Sequence, residues 1–216
     1  MSETDSFIDE VTEEVRRDRL FALMRKYGWI GIVAVLAIVG GAAFNEWQKA
    51  KVRAASEGFG DSILAAMESD DAGAALAAIE GVEGAQRAAL LQIMIAGEAQ
   101  KAGKPAEAAA ALASVAQDAS LPRSLRDLAQ LKAVMLGDAA MDAFARAAAL
   151  EQLAAPGAPY RPLAMEQQAL AALAAGDRDG AISLSKQILD EAGATPGLQQ
   201  RATELMVALG ADPAAE

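Results

Sequence analysis

From Gly28 to Phe44 the chain runs GWIGIVAVLAIVGGAAF, seventeen residues without a charge. At a rise of ~1.5 Å per residue this stretch spans ~26 Å as a helix. Tyr27 and residues 45–47 extend it to ~31 Å, about the hydrocarbon thickness of a bilayer. Trp29, Ile30, Ile32, Val33, Val35, Leu36, Ile38, Val39 and Phe44 supply the apolar surface. Tyr27 and Trp47 stand at the two ends, where amphipathic rings prefer the headgroup level. A buried core helix of this length would show a polar face, and an interfacial helix a charged one. A cleavable signal peptide would have a shorter leader. It would also end in a small-residue site followed by a turn, whereas Gly41-Ala42-Ala43 leads into the helix formers of residues 46–50. A retained transmembrane helix over residues 28–47 is expected. Gly31, Gly40 and Gly41 lack a full small-xxx-small pattern, so a lipid-facing helix is the simpler reading.

Cations orient such a span. Arg16, Arg17, Arg19, Arg25 and Lys26 precede it, against Lys49, Lys51 and Arg53 after it, which predicts a cytoplasmic N-terminus. In residues 1–27, Phe7, Val11 and Val15 recur every four residues, with acids early and arginines late, as an amphipathic helix carries them. Ser6 with Asp9 resembles its start. This cytoplasmic N-terminal segment reads as a solvated juxtamembrane helix or as a docking helix.

Residues 48–216 form the remaining domain. Hydrophobic residues make up 53% of the chain but aromatics only 4%, with alanine supplying much of the rest. That balance favours helix over strand, so the expected fold class is all-α. Of the 19 Lys and Arg, 14 lie beyond residue 27, as do 23 of the 30 Asp and Glu, a net charge of −9 there. Nucleic acid is therefore a poor partner. With no cysteine or histidine, disulfides, thiolate chemistry, imidazole bases and the commonest zinc ligands are excluded.

Glycine spacing reveals the organisation. Gly103, Gly137, Gly176 and Gly210 are separated by 34, 39 and 34 residues, close to the period of tetratricopeptide-type helix-turn-helix repeats. Ala108 and Ala181 lie five residues after Gly103 and Gly176, and Ala96 and Ala169 seven before, where packed helices need small side chains. Pro122, Pro162 and Pro196 mark helix starts, with Thr195 and Asp177 as caps. Expected apolar stripes are Leu121, Leu125, Leu128 and Met135, then Leu163, Leu170 and Leu173, then Leu198, Ala202, Leu205, Met206 and Leu209. Such hairpins bury their stripes only by stacking into a solenoid. Residues 54–67 read as the first helix, continuous with the anchor until Gly58 or Gly60 loosens it. At the Gly137 unit, Asp142 occupies the small position, and residues 154–159 form an extended link.

These features resemble the YfgM-type ancillary subunits of the Sec translocon, a tetratricopeptide-like family of the bacterial inner membrane. The likeness rests on Phe7-Ile8-Asp9-Glu10-Val11, Arg16-Arg17-Asp18-Arg19-Leu20, Tyr27-Gly28, Arg161-Pro162-Leu163-Ala164 through Gly176-Asp177, and Pro196 to Ala202. The resemblance implies a single-pass inner-membrane protein with periplasmic repeats, and the Sec translocon and periplasmic chaperones as partners. The corresponding function is a membrane-anchored protein-binding adaptor that helps exported proteins. Alternatives are an adaptor for envelope biogenesis, division or assembly of another membrane complex, and, more remotely, a carboxylate-dependent envelope hydrolase.

No catalytic, cofactor-binding or metal-binding residue, no cofactor and no small-molecule substrate is expected. Glu68, Asp70 and Asp71 read as helix-end acids, and Asp190 and Glu191 likewise. Asp177 and Asp179 lack the spaced ligands of a calcium loop. Most methionines read as core, and flexible thioethers also suit an apolar peptide groove. Tyr160 and Arg161, on the link before a helix, are the exposed pair singled out for a partner contact.

Overall fold

A computed structural model of the protein describes residues 3–212; within its first helix, side chains are described at Arg17, at Phe21 and from Met24 onward. Among the described residues there are nine α-helices and no strand: α1 (Glu3–Met67), α2 (Ala72–Ala77), α3 (Ala85–Lys101), α4 (Pro105–Ala116), α5 (Arg123–Met135), α6 (Ala143–Leu153), α7 (Arg161–Ala174), α8 (Arg178–Asp190) and α9 (Pro196–Ala208). Internal contacts divide the chain into residues 1–61 and residues 62–216.

In the first unit, α1 is helical from Glu3, ahead of the start expected at Ser6, and continues through Gly58 and Gly60, where a break was expected. Isolated glycines cost a helix only ~1 kcal/mol each, too little to stop one flanked by good helix formers. The Met24–Met67 stretch is the one helix among the described residues long and apolar enough to cross a membrane, with a mean hydropathy of 2.0 over its most apolar window. Every residue from Met24 to Gly58 is exposed, which a core helix of a globular domain would not be. The side chains of Phe7, Val11, Val15, Arg16 and Arg19 lie outside the described residues.

In the second unit Gly103, Gly176 and Gly210 each end a helix. After α3 the N–H of Lys104 donates to Ala99 O (2.8 Å) and that of Gly103 to Gln100 O (3.1 Å). The same pair of bonds follows α7, from Asp177 and Gly176, and α9, from Ala211 and Gly210. Each closes the helix through a left-handed residue (φ +71° at Gly103, +81° at Gly176, +74° at Gly210), which glycine adopts without a Cβ clash. Pro105, Pro162 and Pro196 stand at first-turn positions, where a missing N–H costs nothing. Asp71, Asp142, Asp177 and Thr195 cap their helices with side-chain oxygens.

The Gly137 unit corrects the expected register. A 3-10 turn over Gly137–Ala139 delays the next helix, so Asp142 is not in the small inter-helix position. It is the N-cap of α6, accepting from the Ala145 N–H at 2.8 Å. The extra residues between Gly137 and Gly176 are thus taken up on both sides of α6.

From α2 onward each helix packs against the next, and α3 also packs beside α5, and α7 beside α9. Thus α4 packs on the α3–α5 pair, α8 packs on the α7–α9 pair, and α6 joins α5 to α7. Three core clusters follow. One lies among α3, α4 and α5 around Ala96, Ala108, Leu112 and Ala129. A second joins α5, α6 and α7 through Leu131, Val134, Leu150, Leu153 and Ala164. The third joins α7, α8 and α9 through Met165, Ile188, Leu198 and Ala202.

Candidate protein-binding face

The packing face of α7 consists of Ala164, Met165 and Ala169, all buried. Helical residues advance by ~100°, so Leu163 and Leu170 fall on the far side of the helix and Leu173, ~40° from Ala169, on the border of the packed face. They are 37%, 44% and 38% exposed. The expectation that these leucines form the buried stripe of α7 is therefore corrected. Alanine and methionine make the core, and the leucines are left partly exposed.

Glu166 lies on this leucine face, three residues after Leu163 and four before Leu170. It accepts two bonds from the guanidinium of Arg201 on α9, from Nε at 2.6 Å and from the second terminal nitrogen at 2.9 Å. This two-pronged geometry matches a planar guanidinium to a planar carboxylate. It raises the pKa of Arg201, chiefly through the hydrogen bond and then through the Glu166 charge. The pair ties α7 to α9 along the edge of the apolar strip. Leu90 on α3, Met135 on α5 and Val207 on α9 are exposed on odd helices as well. Met135 departs from the expected buried stripe of α5, where Leu121 is buried and Leu125 and Leu128 are half-buried.

Asp70, Asp71, Glu98 and Glu107 line a cleft of about 420 Å³ between α2, α3 and α4, shared with Lys101 and Lys104. Lys101 pairs with Glu98 at 2.7 Å and Lys104 with Glu107 at 3.5 Å. Among the described residues no three Asp or Glu side chains converge closely enough to hold a metal ion. Asp118 is held below the ordinary aspartate range, first by the Ser120 hydroxyl (2.6 Å) and then by the Ser120 N–H (2.9 Å). That is opposite to the shift a carboxylic general acid requires.

The tetratricopeptide repeat-like domain matches the chain over residues 25–205, well over half its length. The chain belongs to that family. No curated protein and no solved structure matches it. Tetratricopeptide repeat-like domains mediate protein–protein interactions and are typically non-enzymatic.

Within this repeat-like chain, Ala96, Ala108, Ala169 and Ala181 are all buried between helices. The apolar residues Trp29, Ile30, Ile32, Val33, Val35, Leu36, Ile38, Val39 and Phe44 are all exposed on α1. At its ends, Lys26 Nζ lies 5.5 Å from the Tyr27 ring centre and Lys51 Nζ 5.5 Å from that of Trp47, within cation–π range.

Tyr160 and Arg161 are half-buried rather than exposed. Tyr160 packs on the second core cluster. Arg161 donates from Nε to Glu191 Oε1 at 2.8 Å, and from a terminal nitrogen to the carbonyl of Ala154. It thereby clasps the ends of α6 and α8 to the start of α7. The exposure of the α7 leucines escaped sequence reading although a signal for it existed. Once Ala169 marks the packed side of α7, the neighbouring Leu170 must turn away from it.

Proposed function

We propose that this chain is a membrane-anchored protein-binding adaptor of the YfgM type, ancillary to the Sec translocon and working with periplasmic chaperones. In this reading residues 1–27 are cytoplasmic, residues 28–47 cross the bacterial inner membrane, and residues 48–216 are a periplasmic repeat domain. The exposed leucine strip of α7 is the observation that carries the binding role, because apolar side chains left out of a close-packed core are available to a partner. The Glu166–Arg201 pair beside it links α7 to α9. Charge favours partners with apolar segments flanked by cations, since the part beyond residue 27 carries −9. Anchoring raises the local concentration of the face at the membrane, so modest affinity suffices. The uncharged stretch from Gly28 to Phe44, the aromatic ends and the match to repeat-like domains support the membrane and adaptor parts. Translocon and chaperone partnership rests on the resemblance of the segments around Phe7, Arg16, Tyr27, Arg161 and Pro196.

A photoreactive amino acid at position 170, irradiated in intact membranes, tests the proposal. Crosslinks to a translocon subunit or a periplasmic chaperone are expected. Crosslinks only to division or other assembly proteins would shift the partner and leave the adaptor role. A strip that crosslinks to no protein removes the binding face.

A further inference from the structure

Past the apolar stretch, α1 runs on through residues 48–58 without a break, and every one of them is exposed. Val52, in their midst, is 59% exposed. About three helical turns in water are marginal by propensity alone, and in proteins such a helix is held by packing along one face. Asn45, Gln48, Val52 and Ala55 recur at alternating steps of three and four, the spacing of a coiled-coil seam. The charged residues of this stretch, Glu46, Lys49, Lys51, Arg53 and Glu57, all fall ~80° or more from the centre of that seam. Lys49 and Lys51, which border it, are both drawn aside, one toward Glu46 at 3.9 Å and the other over the Trp47 ring, 5.5 Å from its centre. Within the span the same register falls on Gly31, Ala34, Ile38 and Gly41, which let two backbones approach. Glycine spacing by itself gives no such face; the charge-free register that continues into water does.

We propose that this seam of α1 pairs with the same seam of a second copy of the chain, as a parallel two-stranded coiled coil running from the membrane into the residues beyond it. The pairing rests on residues 28–47 crossing the bilayer, because copies inserted the same way meet only in parallel, and it is independent of the leucine strip. Two-fold symmetry then sets each seam residue against its own counterpart. A charge in the seam would meet its like, which is why a second copy, more than a foreign helix, demands a face free of charge. Asn45 would meet Asn45, and a polar pair of this kind fixes the register of two strands. The exposed part of α1 from Met24 to Gly58 is ~50 Å long, and a contact ~10 Å wide along it buries about 1,000 Å² over both copies. That is the lower bound of a specific interface, and confinement of both copies to one bilayer makes it sufficient.

Single-cysteine variants of the full-length chain, oxidised with copper phenanthroline in intact bacterial membranes, test the pair. Gln48→Cys, Val52→Cys and Ala55→Cys are expected to form a disulfide-linked adduct of twice the chain's mass, since facing seam positions lie within disulfide reach. Ala50→Cys, Arg53→Cys and Ala54→Cys, on the outer side, are expected to form about tenfold less. Val52→Glu, which sets like charges face to face, is expected to slow the Gln48→Cys reaction about tenfold, and Arg53→Glu to leave it unchanged. No adduct from any seam position, equal yields on all sides of the helix, or an adduct with a different protein in place of the doubled chain overturns the proposal. Pellet and soluble fractions are assayed separately. A chain recovered in the soluble fraction sinks the membrane reading, while the pattern of adducts there still judges the pair.

Discussion

Single residues close the hairpins of this domain, and their contributions are separable. Asp177 caps α8 by accepting from the Gly180 N–H at 2.9 Å, and Gly176 just before it holds a φ of +81°. Asp177→Ala removes the cap and is expected to destabilise the repeat domain by about 1 kcal/mol. Gly176→Ala forces a Cβ into the left-handed region and is expected to cost about 1–2 kcal/mol. Thermal unfolding followed by circular dichroism at 222 nm checks both, and two silent substitutions would mean that the turn bears no load. Protonation gives a second test. Asp118 is depressed below its ordinary value of 3.8 because Ser120 donates to its charged form. A carboxyl depressed in the folded state adds stability that is present at neutral pH. That stability is lost as pH falls through the folded pKa. Ser120→Ala should raise the Asp118 pKa in carboxyl NMR titrations, and its stability deficit should be present at pH 7 and vanish at acid pH.

At the scale of helices, the contrast between Ala169 and Leu170 decides which side of α7 is packed. Ala169 is fully buried, so Ala169→Leu overfills the contact between helices and is expected to cost about 1–3 kcal/mol. Leu170, half out of the core, should tolerate Leu170→Ser within about 0.5–1 kcal/mol while losing partner crosslinks. Reversed sensitivities in urea unfolding would assign the leucine strip to the core. The same pair shows what the sequence made legible. The glycine period, the proline starts and the caps at Asp177 and Thr195 could be read directly, because each is dictated by local backbone chemistry. The packed face of α7 was not legible from hydrophobicity alone, since its contacts use two alanines and Met165 while the three leucines are left partly exposed. Around α6 the 3-10 turn moved Asp142 from an inter-helix position to a cap, a shift set by local hydrogen bonding rather than by period. Arg161 looked like an exposed cation because its partner Glu191 is thirty residues away in sequence.

For the whole molecule, the proposed function depends on which compartment each part of the chain occupies, and the chain is well suited to ask. It contains no cysteine, so any introduced thiol is unique. Ser124 is exposed on the repeat unit, and Ser6 lies in the segment proposed to be cytoplasmic. A span with five cations before it and three after should insert with the more basic side retained in the cytoplasm. Ser124→Cys should therefore react with a membrane-impermeant maleimide in spheroplasts, and Ser6→Cys only after the membrane is permeabilised. Replacing Arg16, Arg17, Arg19, Arg25 and Lys26 with glutamine should weaken or reverse this asymmetry, because the remaining Lys49, Lys51 and Arg53 then outnumber the cations on the other side. Labelling of Ser6→Cys alone in intact spheroplasts would place the repeats in the cytoplasm, with the leucine strip of α7 facing cytosolic partners. Labelling of neither site before lysis, together with recovery in the soluble fraction, would mean that the apolar stretch of α1 is covered by protein rather than lipid. The tether that concentrates this face at the membrane would then be lost, and the face would need sub-micromolar affinity of its own.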